Sequence, residues 1–139
     1  MPPTAPEGIP GNPIPGPPAV WMGSVRHPII RRTVRYIDEH YHRQLTLAAI
    51  ASVAHMSKDH FSRLFHESAG VTFQEYLVRI RVRRADEMIR HDPLAPLIRV
   101  AARAGFGTIR NLQRHYKRLL GKSPSKGRER AFATRYTPN

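Results

Sequence analysis

From Pro28 onward, apolar residues recur at helical spacing. Ile29, Ile30, Val34 and Ile37 form one stripe and predict a first helix ending near His42. Thr46 then caps a short helix carrying Leu47, Ile50, Ala51 and Ala54. Ser57 caps a third, with Phe61, Leu64, Phe65 and Ala69 inward and Gly70 as its stop. Thr72 and Glu75 have capping-box spacing and open a long helix bearing Phe73, Tyr76, Leu77, Ile80, Met88 and Ile89, which ends before Pro93. Pro96 begins another short helix through Val100, Ala101 and Ala104. Thr108 caps a helix from Ile109 to Leu120, stopped by Gly121, and Ser123-Pro124 starts a last short one, proline fitting a first helical turn. No alternating period-two pattern suggests a strand. The predicted class is all-α.

The pattern also repeats. Ile50-Ala51-x-x-Ala54-x-Met56 returns as Val100-Ala101-x-x-Ala104-x-Phe106, 50 residues on. One residue is then inserted in the turn, and Phe61, Arg63, Phe65 and Gly70 return 51 residues on as Leu112, Arg114, Tyr116 and Gly121. Thr72 returns as Ser123. Each copy reads as a short helix, a tight turn and a capped helix, with small alanines that allow a close, steep crossing. That is the helix-turn-helix pattern. The copies span about 46–70 and about 97–121, and a linker helix of about 73–91 joins them. Its 19 residues span about 28 Å at the helical rise. Successive major grooves lie about 34 Å apart, so such a linker can hold two units on one face of a duplex.

The second helix of such a unit enters the major groove with its N-terminal turns. The inward stripes leave Lys58, Asp59, Ser62, Arg63 and His66 as candidate contacts in the first copy. In the second they leave Thr108, Arg110, Asn111, Gln113, Arg114 and Lys117. Arginine presents a bidentate fork to guanine, and Asn or Gln can bracket adenine. Asp59 has an alternative reading as a carboxylate favoured by its own helix N-terminus. Arg63 is a base contact, a phosphate contact or a solvated side chain. The linker cluster Arg79, Arg81, Arg83 and Arg84 touches phosphate, pairs with Asp86 and Glu87, or is a solvated face.

Charge sharpens this picture. The chain has 139 residues, one ordinary domain or two very small modules. It carries 23 Lys and Arg against 10 Asp and Glu, a formal charge of +13. Such an excess points to a polyanionic partner. Residues 26–92 hold 12 basic and eight acidic residues, whereas 93–139 hold 11 basic residues against Glu129 alone. The C-terminal third should therefore bind a polyanion more strongly. Arginines outnumber lysines 19 to 4, which suits forked recognition and equally fits a GC-rich genome. Residues 1–25 hold eight of the 13 prolines and no Lys or Arg. They read as a disordered arm or linker, with a PxxP-type ligand as the alternative.

At this point the residues resemble the DNA-binding domain of the AraC/XylS family of bacterial transcription regulators. The second copy carries most of the likeness, in Ala101-x-x-Ala104-Gly105-Phe106, Leu112-x-Arg114-x-Tyr116-Lys117 and Gly121-x-Ser123-Pro124-Ser125 with Arg128. The first adds Leu45-Thr46-Leu47, Ala51, Met56-Ser57, Phe61-x-Arg63-x-Phe65 and Gly70-x-Thr72-Phe73-x-x-Tyr76-Leu77. The resemblance runs from about Arg26 to Phe132 and leaves 133–139 as a C-terminal tail. It implies a seven-helix bundle of two helix-turn-helix subdomains joined by a long central helix. It also implies a monomeric DNA-binding domain on asymmetric sites, contact with RNA polymerase as activator or repressor, and a place in the bacterial cytoplasm, at the nucleoid. Two departures stand out. Leu112 occupies a position that is usually aromatic. Gly127 stands where an aromatic commonly precedes the final Arg, and its low helix propensity predicts that the last helix frays.

Several chemistries find no support in the sequence. Without cysteine there is no disulfide scaffold, cysteine zinc site, Fe–S cluster or thiol nucleophile. His40, His42, His60, His66 and His115 fall on different elements and form no ligand set. Gly105-x-Gly107 follows a helix, not a strand, so it is no phosphate loop. No catalytic role, metal or cofactor is expected. Neither a membrane-spanning run nor a secretory signal is read. The proline-rich arm is too short to be a sensor domain, so the chain reads as a stand-alone regulator or as a fragment of a longer one. The leading function is a sequence-specific binder of double-stranded DNA that regulates transcription, with two recognition helices in successive major grooves. The alternatives are a non-specific nucleic-acid-binding basic protein and a membrane-surface binder, the last needing apolar faces that here cover one another.

Overall fold

The computed structural model describes residues 27–136, and the side chains of 27–134. Seven helices follow one another among the described residues, with no strand between them: α1 (Pro28–His40), α2 (Leu47–Val53), α3 (Lys58–Ala69), α4 (Phe73–His91), α5 (Leu97–Ala104), α6 (Ile109–Leu120) and α7 (Pro124–Tyr136). The architecture is all-α, as the periodicity predicts. The expected arm over 1–25 lies outside the described residues.

The chain divides into two compact units, one reaching Ile80 and one starting at Arg81, so α4 contributes to both. In the first unit, Ile30, Val34 and Ile37 of α1 are buried with Ile50 and Ala51 of α2 and Phe61 and Phe65 of α3. Phe73 and Tyr76 of α4 close this core, and their rings meet Phe65 edge-on at centroid distances of 6.2 and 5.6 Å. The core of the second unit comprises Val82, Ala85 and Ile89 of α4, Val100, Ala101 and Ala104 of α5, Phe106, and Leu112 and Tyr116 of α6. Leu112, at the usually aromatic position, is fully buried.

The repeat holds down to individual hydrogen bonds. Met56 N donates to Ala51 O, and Phe106 N to Ala101 O, both at 2.9 Å. Ser57 Oγ accepts from His60 N at 3.2 Å, and Thr108 Oγ1 from Asn111 N at 3.1 Å. Thr72 Oγ1 caps α4 through Glu75 N, and Ser123 Oγ caps α7 through Lys126 N. These bonds are local, so the same residue types at the same spacing fold the same way. The turn into each recognition helix has a left-handed residue at the same place in the repeat: Gly105 at φ 94° in the second copy, where the inserted Gly107 adds another at φ 77°, and His55, forced to φ 56°, in the first.

The structure extends the repeat to the helix before each helix-turn-helix. The buried positions Ile30, Thr33, Val34 and Ile37 of α1 correspond, 52 residues on, to Val82, Ala85, Asp86 and Ile89 of α4. Asp86 thus takes the place of Val34, and Tyr116 the place of Phe65. Their two polar atoms satisfy each other: Tyr116 Oη donates to Asp86 Oδ1 at 2.7 Å, and Arg90 Nε lies 2.9 Å from the other carboxylate oxygen. Burial, then the hydrogen bond to Asp86 and its negative charge, push the Tyr116 phenol well above its usual range.

This pair also corrects the expectation of a frayed last helix. The helix α7 runs unbroken through Gly127, which is buried. A Cβ built on Gly127 would meet the Tyr116 hydroxyl and lie 3.2 Å from its Cζ. In the first unit Tyr76 occupies the equivalent position and packs on Phe65. In the second the extra bulk is on Tyr116, and its partner position is reduced to glycine. A low-propensity residue therefore stands in a helix interior because packing requires it.

Candidate nucleic-acid interface

Each recognition helix begins at a hydroxyl cap, which fixes where its first turn starts. Two inward aromatic or aliphatic side chains fix which face is hidden. On α3 these are Phe61 and Phe65, both fully buried, so Lys58, Asp59, Arg63 and His66 are exposed and Ser62 is half-buried. On α6 Leu112 and Tyr116 are hidden; Arg110, Gln113, Arg114 and Lys117 are exposed, and Asn111 is half-buried. Thr108 is exposed but its hydroxyl accepts from Asn111 N, so its established contact is the cap itself. Arg114 Nη2 lies 3.5 Å from Asn111 Oδ1 and 3.3 Å from His115 Nε2. The His115 ring in turn stacks on Phe106, with centroids 5.9 Å apart. The guanidinium thus rests against two neighbours on its own helix rather than swinging freely.

At the 51-residue offset the two helices can be compared position by position. Asp59 corresponds to Arg110, Ser62 to Gln113, Arg63 to Arg114, His66 to Lys117 and Glu67 to Arg118. Within α3 the charges of Lys58, Asp59, Arg63 and Glu67 cancel, whereas α6 carries four arginines or lysines and no acid. The contrast comes from exposed positions alone.

Three exposed residues escape a reading confined to the recognition-helix stripes. His60 sits at the position of Asn111, in the first turn of α3. Arg99 and Arg103 lie one turn apart on the exposed face of α5, where α2 has Ala49 and Val53. The first helix of such a unit crosses the DNA backbone, so basic residues there suit phosphate. The offset that aligns the copies is the signal that finds all three.

The linker cluster does not behave as one group. Arg79 Nε pairs with Glu75 at 3.2 Å and Arg84 Nη1 with Glu87 at 3.2 Å. Asp86, a partner for the cluster in one of its alternative readings, is engaged by Tyr116 and Arg90. Arg83 keeps two buried guanidinium nitrogens without a hydrogen-bond partner among the described residues. Among the described residues, no three His, Asp or Glu side chains are grouped to hold a metal, and no helix is long and apolar enough to cross a membrane.

The profile of a helix-turn-helix domain family matches residues 50–130, a span that takes in both recognition helices. The chain belongs to the AraC family of helix-turn-helix transcription regulators. A putative AraC-like transcription regulator of Streptomyces antibioticus is 27% identical over 104 residues, covering 75% of this chain and 34% of that protein. The C-terminal domain of AraT, a response regulator of Geobacillus stearothermophilus, superposes with a TM-score of 0.75 at 29% identity, covering 81% of this chain and 93% of that domain. The DNA-binding domain of AdpA, a global transcriptional factor solved in complex with a target DNA, gives a TM-score of 0.70 at 29% identity, covering 79% and 97% of the two chains. The chain spans about a third of the length of the curated relatives it matches.

Proposed function

We propose that this chain is a sequence-specific, double-stranded DNA-binding transcription regulator, with no catalytic role, that places α3 and α6 in successive major grooves. The observation that carries the reading is the N-terminal face of α6, where Arg110, Asn111, Gln113 and Arg114 stand beside one another on a capped, positively charged helix. Arg110 and Arg114 supply forks for guanine, and Asn111 and Gln113 amide pairs for adenine. Lys117 engages phosphate. Lys58, Asp59, Ser62, Arg63 and His66 of α3 make the corresponding, weaker set, and Thr108 holds the first turn of α6 in register. Residues 26–132 form the DNA-binding part, monomeric on an asymmetric site, with 1–25 as an arm and 133–139, which open on the last residues of α7, as a tail. RNA polymerase is the protein partner through which binding becomes activation or repression, in the bacterial cytoplasm. The DNA complex of AdpA supports this reading by likeness of fold.

The formal charge of +13 favours a second reading, a basic protein that coats nucleic acid regardless of sequence. Competition separates the two. Genome-wide selection of bound fragments supplies a site, and a labelled duplex carrying it is competed with random duplex at near-physiological salt. A specific regulator prefers its site by about 10³-fold or more, and a ratio near one refutes the proposal.

A further inference from the structure

Just past the C-terminal end of α6, a cavity of about 820 Å³ lies between that helix and α7, within the second unit. Lys117, Lys122, Lys126 and Arg130 line it, and Glu129 is the one acid among its lining residues. Glu129 lies 3.5 Å from Lys126 Nζ in an ion pair whose members are each about 70% exposed, so it neutralises little of the patch. Lys117 leaves the side of α6, and Lys126 and Arg130 stand one turn apart on α7. Leu120 and Ala133 supply apolar floor. The first unit keeps one of these four cations: at the 51-residue offset Lys117, Lys122, Lys126 and Arg130 correspond to His66, Val71, Glu75 and Arg79, and Arg79 is paired with Glu75 at 3.2 Å. Nothing in the packing of α7 on α6 requires these cations to converge, and their mutual repulsion opposes it.

We propose that this basic concavity is a phosphate-binding site that grips the DNA backbone beyond the base pairs read by α6, with Lys122, Lys126 and Arg130 as positioning residues. The inference rests on the DNA-binding reading above. The concavity shares Lys117 with the recognition helix, so a backbone entering it is continuous with the groove that α6 occupies. Contacts of this kind fix orientation and register on the duplex and carry no base information. Each neutralised phosphate releases counterion and adds about 0.9 to the slope of log K against log salt.

The test uses the full chain, with Lys122, Lys126 and Arg130 all changed to Ala and, as a control that keeps the charge, Lys122→Arg with Lys126→Arg. Circular dichroism verifies that both variants fold. Affinity for the selected duplex and for random duplex is measured at several salt concentrations. The expected result is a slope lower by up to about 2.7 in the triple variant, equal losses on both duplexes, unchanged base preference, and near wild-type behaviour in the Arg control. Shortening the duplex to the recognised base pairs should cost the wild type affinity and leave the triple variant unaffected. An unchanged slope overturns the proposal. So does an unchanged slope accompanied by tripolyphosphate binding at the Lys122 and Lys126 amides in NMR titration, which would assign the cavity to a free phosphorylated ligand. If the wild type shows no base preference at all, the regulatory reading fails by itself, and the slope on random duplex still decides the patch.

Discussion

Gly127→Ala tests the packing at the heart of the second unit, because general helix rules and the structure predict opposite signs. In an exposed helix interior, replacing Gly with Ala stabilises by about 1 kcal/mol. Here the new methyl would fall on the Tyr116 hydroxyl and 3.2 Å from Cζ. The ring cannot swing away freely, since it is fully buried and tied to Asp86 at 2.7 Å. Either α7 is pushed outward, an overpacking cost of about 1–3 kcal/mol, or the hydrogen bond breaks and leaves a buried carboxylate oxygen short of a donor, at about 1–3 kcal/mol. Less the propensity gain of about 1 kcal/mol, a net loss of up to about 2 kcal/mol is expected. That corresponds to a fall in Tm of up to roughly 15 °C for a domain near this size. Thermal unfolding of the full chain followed by circular dichroism reads it directly. Adding Tyr116→Phe removes the atom that clashes, so the double variant should be more stable than the sum of the single effects by about 1 kcal/mol or more. A rise in Tm for Gly127→Ala, or strict additivity of the pair, would refute the reading of Gly127 as a packing requirement.

Three further outcomes follow from the same structure. Tyr116→Phe should itself cost about 1–3 kcal/mol, by leaving Asp86 with Arg90 alone. Since the folded state raises the phenol above its ordinary value of 10.0, the Tyr116 contribution is complete below that pH and is lost as pH rises beyond it; urea midpoints from about pH 8 to 11 should fall more steeply in the wild type than in Tyr116→Phe. His55→Gly should raise the unfolding free energy measured by urea denaturation by about 0.5–1 kcal/mol, because it relieves a left-handed non-glycine residue that Gly105 replaces in the other copy. On DNA, Arg110→Glu should weaken binding more than Lys58→Glu; Arg114→Ala should cost about 1–3 kcal/mol and relax preference at one base pair, and Lys117→Ala should weaken all duplexes alike. A larger loss from Lys58→Glu, or equal loss on all duplexes from Arg114→Ala, would show that the contacts are misplaced.

What the sequence discloses and what it hides divide along the range of the interactions. The caps at Thr46, Ser57, Thr72, Thr108 and Ser123 and the alanines of α2 and α5 act within a few residues, so their spacing alone places five of the helix starts and both tight turns. The Asp86–Tyr116–Gly127 arrangement joins α4, α6 and α7 across the fold, and no local pattern announces it. Judged by propensity, Gly127 looked like a weak point; judged by the ring it faces, it is a condition of packing. One signal was available for Asp86, whose i,i+4 spacing to Arg90 competes with the arginines before it. His60, Arg99 and Arg103 were equally within reach, since the offset that pairs Phe61 with Leu112 also pairs His60 with Asn111. The inward stripe repeats in kind while the outward positions diverge, so the stripe by itself does not single these residues out.

That divergence bears on how two such similar units can do unequal work. The buried positions change by exchange: Phe65 and Tyr76 in one unit become Tyr116 and Gly127 in the other, and Val34 becomes Asp86 with a donor supplied for it. Each exchange is compensated nearby, so the same turn hydrogen bonds recur in both copies, Met56 N to Ala51 O and Phe106 N to Ala101 O both at 2.9 Å. The exposed positions change without compensation. Asp59 gives way to Arg110, Glu67 to Arg118, Val53 to Arg103, and α3 is neutral where α6 carries four positive charges. A stability constraint would not produce that asymmetry, because like charges crowded on one helix repel. It is intelligible if the second unit supplies most of the electrostatic binding to a polyanion and the first contributes mainly shape and register. The two roles then separate experimentally, since losses in the second unit should scale with salt while those in the first should not.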